Sequence, residues 1–416
     1  MAALDLPVHR GSEPHQAGEG CLPEGRGAAN RYDRMEWAGA FGDLGTLIPF
    51  VVGYIAVLKI DPVGVLLAFG ITKIAVGLFY RTPMPVQPMK AIGGAAIGQV
   101  GAITPAMVYG SGLITAAIWL ILGLTGTVDR LAKLASKPVV RGIVLGLGFT
   151  FVLEAFRMMG SDPLVAGVGL VVTYLLLSNP KVPAMFVLLL FGVGAALVQQ
   201  PDLPARLVEA GISPRLPSFP LGSLTWQELL WGGLILAIPQ LPLTLGNACI
   251  AVVAENNDHF PDRPVTERKV ATSMGIMNLF SPMIGGIPMC HGAGGMAGHV
   301  RFGARTGGAL VILGSIIVAI ALFFGNSVGL IFQMFPAAIL GVILFFAGIE
   351  LALSSRDIGG KKEDVYLMLV TAAFATWNMG AAFVVGILLH DALKRGIVRL
   401  ERGATVSAPP CPPGPP

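Results

Sequence analysis

T-P-M-P-V-Q-P-M-K-A-I-G-G-A-A-I, residues 82–97, is the stretch that decides how this chain folds. Its first half carries Pro83, Pro85 and Pro88, and each proline removes a backbone N–H and pushes the preceding residue towards extended geometry. From Pro88 onward, a proline in the first turn followed by small residues is typical of a helix. The stretch therefore predicts a short extended piece followed by a half-helix with Lys90 in its first turn.

The composition of the chain places this stretch in a membrane. The 416 residues are 54% hydrophobic and 12% charged, with a mean hydropathy of +0.73, whereas a soluble domain has about 25% charged residues. Within a bilayer, non-helical backbone is tolerated only where it is buried in protein or lines a cavity. Residues 82–97 are therefore a candidate substrate site in a polytopic membrane protein.

An anion is the ligand that such a site suits. A helix N-terminus carries unpaired N–H groups and the positive end of a dipole, and Lys90 adds a full charge beside it. The net charge of +4 fits an uneven loop distribution, so no nucleic-acid partner is expected. The four cysteines indicate neither a disulfide framework nor a zinc site. No metal and no cofactor are expected.

Apolar segments follow one another along most of the chain, and several are shorter than the ~20 residues of a simple membrane span. They predict an all-α protein with fourteen transmembrane segments, of which the third and tenth are broken into an extended piece and a half-helix. The predicted segments are 37–57, 62–80, 84–100, 104–126, 138–158, 162–178, 183–199, 226–253, 270–286, 288–300, 306–325, 328–353 and two short ones within 364–395.

Lysine and arginine are distributed unevenly over the predicted loops. With the N-terminus inside and fourteen crossings, the outer loops hold only Lys59, Arg157, Arg206 and Arg215 out of 28 such residues. Cytoplasmic loops carry the excess of Lys and Arg in membrane proteins. The distribution predicts a multi-pass protein of the cytoplasmic (inner) membrane with both termini in the cytoplasm.

The two halves of the chain resemble each other. M-P-V-Q-P-M-K-A-I-G-G-A around Pro88 and I-P-M-C-H-G-A-G-G-M-A-G around Pro288 share a proline-led piece, a polar residue and a Gly/Ala-rich helix start. Paired interrupted segments at corresponding places indicate a transporter site at the midplane. The predicted units are a disordered cytoplasmic tail (1–35), a first repeat (36–200), an extracytoplasmic connection (201–225), a second repeat (226–395) and a Pro-rich cytoplasmic tail (396–416).

Four stretches resemble the molybdate transporter family related to sulfate permeases: G-D-L-G-T-L-I-P (42–49), P-V-Q-P-M-K-A-I (85–92), P-Q-L-P-L-T-L-G-N (239–247) and P-M-C-H-G-A-G-G-M-A-G-H-V-R-F-G-A-R-T-G (288–307). The resemblance implies a seven-plus-seven inverted repeat, shared with sulfate permeases and nucleobase symporters. In that fold, segments 1–4 and 8–11 form a core domain that carries the substrate. Segments 5–7 and 12–14 form a gate domain, against which the core moves as an elevator.

Molybdate is a tetrahedral dianion with four acceptor oxygens, so its site needs hydrogen-bond donors. Side-chain amides and hydroxyls can donate, and glycine lets the backbone approach a ligand closely. The candidate substrate-binding residues are Thr46, Gln87, Met89, Lys90, Gln240, Asn247, Cys290, His291 and Gly292.

Two of these candidates have a second interpretation. Lys90 either neutralises the anion or forms an internal ion pair with Asp43, because ionisable groups inside a membrane are functional or paired. His291 either donates to the oxyanion and titrates during transport, or is satisfied by a backbone carbonyl at the helix start.

Asp43 and Glu350 are the candidates for coupling transport to a co-transported proton. Glu350 lies at a helix end, and a second glutamate, Glu154, lies at the corresponding helix end of the first repeat. A glutamate in such a place more often pairs with a nearby cation. The neighbouring cations are Arg157 for Glu154 and Arg356 for Glu350.

The sequence thus predicts a secondary transporter that moves molybdate by elevator-type alternating access, as a homodimer in a lipid bilayer. Tungstate and sulfate are tetrahedral dianions of similar size, so a sulfate transporter of the same fold is the alternative. A membrane enzyme is disfavoured because the sequence offers no nucleophile–base pair and no metal-ligand set. A channel needs no paired broken helices.

Overall fold

The structure, a computed structural model, describes residues 29–98, 102–134, 136–177, 179 and 182–398. Residues 1–28 of the predicted N-terminal tail and residues 399–416 of the C-terminal tail lie outside the described residues. Most of the described chain is helical.

The helices and strands are α1 (Arg34–Ala40), α2 (Leu44–Leu58), α3 (Pro62–Tyr80), β1 (Gln87–Pro88), α4 (Lys90–Gly98), α5 (Pro105–Thr125), α6 (Thr127–Lys133), α7 (Lys137–Met159), α8 (Pro163–Leu176), α9 (Ala184–Gln199), α10 (Leu203–Ala210), α11 (Trp226–Trp231), α12 (Ile238–Leu243), α13 (Val252–His259), α14 (Glu267–Met283), β2 (Met289–Cys290), α15 (Ala293–Arg301), α16 (Gly308–Phe323), α17 (Val328–Gln333), α18 (Ala337–Leu353), α19 (Lys362–Trp377) and α20 (Met379–Lys394). Two π-helical turns, Gly232–Ala237 and Thr244–Ala251, join α11, α12 and α13, and four 3₁₀ turns cover Phe41–Asp43, Pro220–Ser223, Gly325–Ser327 and Ser354–Asp357.

Proline marks the start of several helices. Asp61 caps α3 through a bond from the Val63 amide and is followed by Pro62, and Thr104 caps α5 in the same way before Pro105. An oxygen-bearing cap satisfies an N–H that has no partner within the helix, and proline at the first position has no N–H to satisfy. The prolines between apolar segments therefore set where these helices begin.

A helix, or a strand followed by a helix, lies at the position of each predicted segment. Four helices in the described residues are long and apolar enough to span a membrane, and up to seven spans result if each bent pair counts as one. One bent pair is α17 and α18, which meet at 77° just before Ala337, because Pro336 cannot continue the preceding helix. The count of fourteen crossings stays a prediction.

Two groups of helices pack mainly among themselves. In one group α3 packs along α16 and α5 along α14, while in the other α7 packs along α18 and α19. The crossing of α7 and α18 is close because Gly148 and Gly348 face each other. A Cβ atom on Gly148 would lie 2.8 Å from the Gly348 carbonyl oxygen, and one on Gly348 would lie 2.9 Å from that of Gly148.

Both interrupted stretches have the predicted local structure, an extended piece followed by a nine-residue helix. The two extended pieces pair with each other as antiparallel strands, with Gln87 opposite Cys290 and Pro88 opposite Met289. The Met89 amide extends this pairing by donating to the Pro288 carbonyl at 3.0 Å. The pairing brings the N-termini of α4 and α15 together, although their depth in a membrane stays a prediction.

Candidate functional site

Asp43 is the centre of a buried polar cluster beside β1. Its carboxylate accepts hydrogen bonds from Gln87 Nε2 at 2.5 Å and from the Thr46 hydroxyl, and it forms an ion pair with Lys73 Nζ at 3.5 Å. The side chains of Asp43 and Lys73 are both 0% exposed. Lys73, rather than Lys90, is therefore the cation that pairs with Asp43.

This cluster fixes the position of β1. Lys73 Nζ donates to the Val86 carbonyl at 2.7 Å, while Asp43 and Thr46 hold the amide nitrogen of Gln87. The Oε1 atom of Gln87 is buried and has no hydrogen-bond partner among the described residues. It lies against Gly292, where an added Cβ would be 2.0 Å from it, so this approach requires glycine.

Gln240 and Asn247 cap the two short helices that follow the strands. Gln240 Oε1 accepts from the amides of Ala91 at 2.7 Å and Ile92 at 3.3 Å, in the first turn of α4. Asn247 Oδ1 accepts from the Ala293 amide at 3.2 Å, at the start of α15. Both residues were expected as side-chain donors, but their oxygens accept from the helices. The protein therefore already uses part of the main-chain donor set at each N-terminus.

Asn278 on α14 holds the second strand. Its amide nitrogen donates to the Met289 carbonyl at 2.6 Å, and its Oδ1 accepts from the Met289 amide at 2.9 Å. Sequence analysis assigned no role to Asn278 or to Lys73. The only signal in the sequence is that each is a polar residue within the apolar segment that precedes an interrupted stretch.

His291 is satisfied by protein groups. Its Nδ1 donates to the Pro85 carbonyl at 2.8 Å, and its Nε2 is 2.8 Å from the Ser273 hydroxyl. Tyr80 continues the chain of bonds, because its hydroxyl is 2.7 Å from that of Ser273. Of the two interpretations of His291, this geometry is that of a histidine held by a backbone carbonyl.

Lys90 is different from Lys73. It is the first residue of α4, and its Nζ is buried without a hydrogen-bond partner in the part of the chain that the structure describes. It lies over the Phe151 ring of α7, with the ring centroid 4.2 Å from Nζ. The flanking candidates Met89 and Cys290 are buried, with 0% and 2% of their surface exposed. Lys90 is thus a buried cation that faces an aromatic ring.

Phe151 also lies against the second helix N-terminus. A Cβ atom on Gly294, in the first turn of α15, would be 1.8 Å from Cε2 of this ring. The ring is 4% exposed. Phe151 therefore contacts both strand–helix units, and no motif in the sequence indicated this.

Glu350 forms an ion pair with Arg301 of α15, with 3.4 Å between Oε2 and Nη1, and not with Arg356 as the sequence suggested. Glu154 pairs with Arg157 at 3.2 Å, as expected. The pairing of Glu350 joins the second strand–helix unit to α18.

Two cavities lie next to the site rather than in it. One of ≈780 Å³ lies between α3 and α14 and includes Tyr80 and Ser273 in its wall. One of ≈450 Å³ lies between α2, α17 and the start of α18. The side chain of Lys90 lines neither cavity. In this structure the space beside Lys90 is filled by Phe151.

Comparison with known proteins matches the chain to transporters. The sequence model described as "Molybdate transporter of MFS superfamily" matches residues 35–151 and 232–351. Molybdate transporter 2 of Arabidopsis thaliana is 33% identical, over 86% of this chain and 87% of the relative. Molybdate transporter 1 of Chlamydomonas reinhardtii is 26% identical, over 87% and 92% of the two chains.

Two solved transporter structures have a similar fold. Murine Slc26a9, an anion transporter captured in the inward-facing state, superposes with a TM-score of 0.58 at 12% identity, covering 90% of this chain and 70% of the other. The transmembrane domain of the cyanobacterial bicarbonate transporter BicA gives 0.50 at 16% identity, covering 84% and 98%. The arrangement of helices is therefore that of the sulfate-permease-like anion transporters.

Proposed function

The chain belongs to the molybdate transporter family, and on this premise we propose that it carries molybdate across its membrane as a secondary transporter. The observation that carries the proposal is the buried ammonium group of Lys90, which has no anionic partner among the described residues, at the point where α4 and α15 begin. A buried charge is stable only when it is paired, so a bound dianion would complete this site.

The charges of the proposed site match a dianion. Each helix N-terminus acts as roughly half an elementary positive charge, and Lys90 adds one, which gives about two positive charges around the anion. The Asp43–Lys73 pair has no net charge, and it fixes β1 beside the starts of the two helices. Gln240 and Asn247 occupy some of the main-chain amides, so Lys90 is the main charge-bearing donor.

We infer an elevator movement of one helix group against the other. The substrate group would contain α1–α5 and α11–α16, and the gate group would contain α7–α9 and α18–α20. The separation of their packing supports this, because α3 packs on α16 and α5 on α14, whereas α7 packs on α18 and α19. The orientation with both termini in the cytoplasm and the homodimer remain part of the same proposal.

Asp43 and Glu350 remain the proposed residues for proton coupling. Asp43 pairs with Lys73 and Glu350 pairs with Arg301. A positive charge close to a carboxylate favours its ionised form. Both candidates for proton coupling are therefore ion-paired in the described conformation.

Uptake of radiolabelled molybdate into proteoliposomes tests the function. Wild-type protein should show saturable uptake, and Lys90→Ala should reduce it to background because the buried charge is lost. Lys133→Ala, which removes an exposed lysine of α6, should leave uptake unchanged. Sulfate and tungstate added at equal concentration measure selectivity.

Two results would contradict the proposal. One is wild-type protein, correctly inserted and folded, that takes up no molybdate above empty vesicles. The other is Lys90→Ala with wild-type affinity, which would remove Lys90 from the site. Preferential uptake of sulfate over molybdate would retain the site and change the substrate.

A further inference from the structure

The pairing of Lys90 with Phe151 links a helix of the proposed substrate group to a helix of the proposed gate group. Lys90 begins α4, and Phe151 lies on the middle part of α7. A cation within about 6 Å of a ring centroid is attracted by the electrons of the ring face, and the distance here is 4.2 Å. The ring is thus the partner of Lys90 when no anion is bound.

The backbone around Phe151 holds its ring in this position. Gly348 of α18 packs against the root of the side chain, where an added Cβ would be 3.1 Å from the Phe151 Cβ. At the other end, Gly294 leaves the space that the ring occupies. Two glycines from different helices therefore form the slot in which this one ring lies.

We propose that Phe151 is an aromatic gate that competes with the transported oxyanion for Lys90. The inference rests on the proposed function and adds a residue of the opposite helix group that controls the apparent affinity for the anion. An oxyanion that binds Lys90 must replace the ring face as its partner, so the ring has to leave the space between the starts of α4 and α15. Release of the anion lets the ring return, which gives the empty carrier a closed site.

The competition predicts in which direction the half-saturating concentration of molybdate changes when the ring is altered. Any change that weakens the attraction of the ring for a cation, without changing its shape, makes Lys90 more available to the anion. The half-saturating concentration of molybdate should therefore fall. A desolvated cation–π contact corresponds to roughly a thirtyfold change in an equilibrium constant, so complete loss of the attraction should lower the half-saturating concentration of molybdate by about that factor.

Stepwise fluorination of the Phe151 ring tests this. Phenylalanine carrying one, two or three ring fluorines is incorporated at position 151, and molybdate binding to the purified protein and uptake into proteoliposomes are measured. The half-saturating concentration of molybdate should decrease with each added fluorine. The same analogues at Phe149, which is on the same helix but 46% exposed, should have no effect. Phe151→Leu, which has no ring face, should shift binding in the same direction.

The outcomes separate this inference from the function on which it rests. A wild-type protein that neither binds nor transports molybdate would overturn both. Lys90-dependent uptake with a half-saturating concentration that is flat or rises along the fluorinated series would overturn the gate alone. If Phe151→Leu does not fold, the fluorinated rings still decide, because they keep the size and shape of phenylalanine.

Discussion

At the scale of single residues, the two lysines of the apolar segments have different partners. Lys73 pairs with Asp43, whereas Lys90 faces Phe151. From the sequence, one interpretation of Lys90 was an ion pair with Asp43, because Lys90 lies in the proline-rich motif of residues 82–97. In the structure, α3 instead places Lys73 beside the 3₁₀ turn that contains Asp43. Such a choice between two lysines depends on helix packing, which local sequence does not specify.

Breaking the Asp43–Lys73 pair should destabilise the protein strongly. Removing one partner of a buried ion pair leaves an uncompensated charge and costs about 3–5 kcal/mol. We expect Asp43→Asn and Lys73→Met each to lower the thermal unfolding temperature in detergent. The double variant should lose less than the sum of the two, because neither charge of this pair then remains without its partner.

The surface pair Arg395–Asp391 provides the comparison. Its side chains are 68% and 50% exposed, and exposed pairs contribute about 0–1 kcal/mol. Asp391→Asn should therefore have little effect on unfolding. Additive losses in the Asp43 and Lys73 double variant would show that the two side chains are not coupled.

At the scale of secondary structure, the sequence predicts most of what is observed. Clusters of proline and small residues located both interrupted stretches, since proline acts on the backbone locally. The sequence predicted Gln240 and Asn247 as substrate-binding residues, which stays a prediction, and it indicated no role for Asn278. Gln240 and Asn247 cap helices, and Asn278 holds a strand. The bonds of Gln240 and Asn247 join residues 149 and 46 positions apart in the chain, so their partners cannot be deduced from spacing alone.

Asn278 should be essential for the position of β2. Asn278→Leu leaves the buried amide and carbonyl of Met289 without their bonds to this side chain, and each unsatisfied group costs about 1–3 kcal/mol. We expect a lower unfolding temperature and faster hydrogen exchange at the Met289 amide. Leu279→Ala, at a neighbouring position that is 49% exposed, should change neither. If the Met289 amide of Asn278→Leu exchanged hydrogen at the wild-type rate, the role assigned to Asn278 would be contradicted.

At the scale of the whole molecule, two ion pairs join the helix groups that we propose to move. Arg301 on α15 pairs with Glu350 on α18, and Arg141 on α7 pairs with Asp258 on α13 at 2.6 Å. Both pairs connect a helix of the substrate group with a helix of the gate group. If the groups slide past each other, these pairs must open and close in each transport cycle.

Charge reversal tests whether transport depends on the Arg301–Glu350 pair. We expect Arg301→Glu and Glu350→Arg each to reduce the uptake rate about fivefold or more, because each places two like charges together. The double reversal should restore most of the rate. A double variant as slow as either single variant would mean that the residues act separately. Reversing the surface pair Arg395–Asp391 should leave uptake unchanged.

The pairing of β1 with β2 has a consequence for biogenesis. His291 and Pro85, which hold each other beside this pair, are 206 positions apart in the chain. Proteins are synthesised from the N-terminus, and contacts between distant residues form late. β1 therefore has no strand to pair with until the chain has been synthesised as far as β2. A chain cut short before β2 should be recognised as unfinished and degraded, even when all its early helices have inserted.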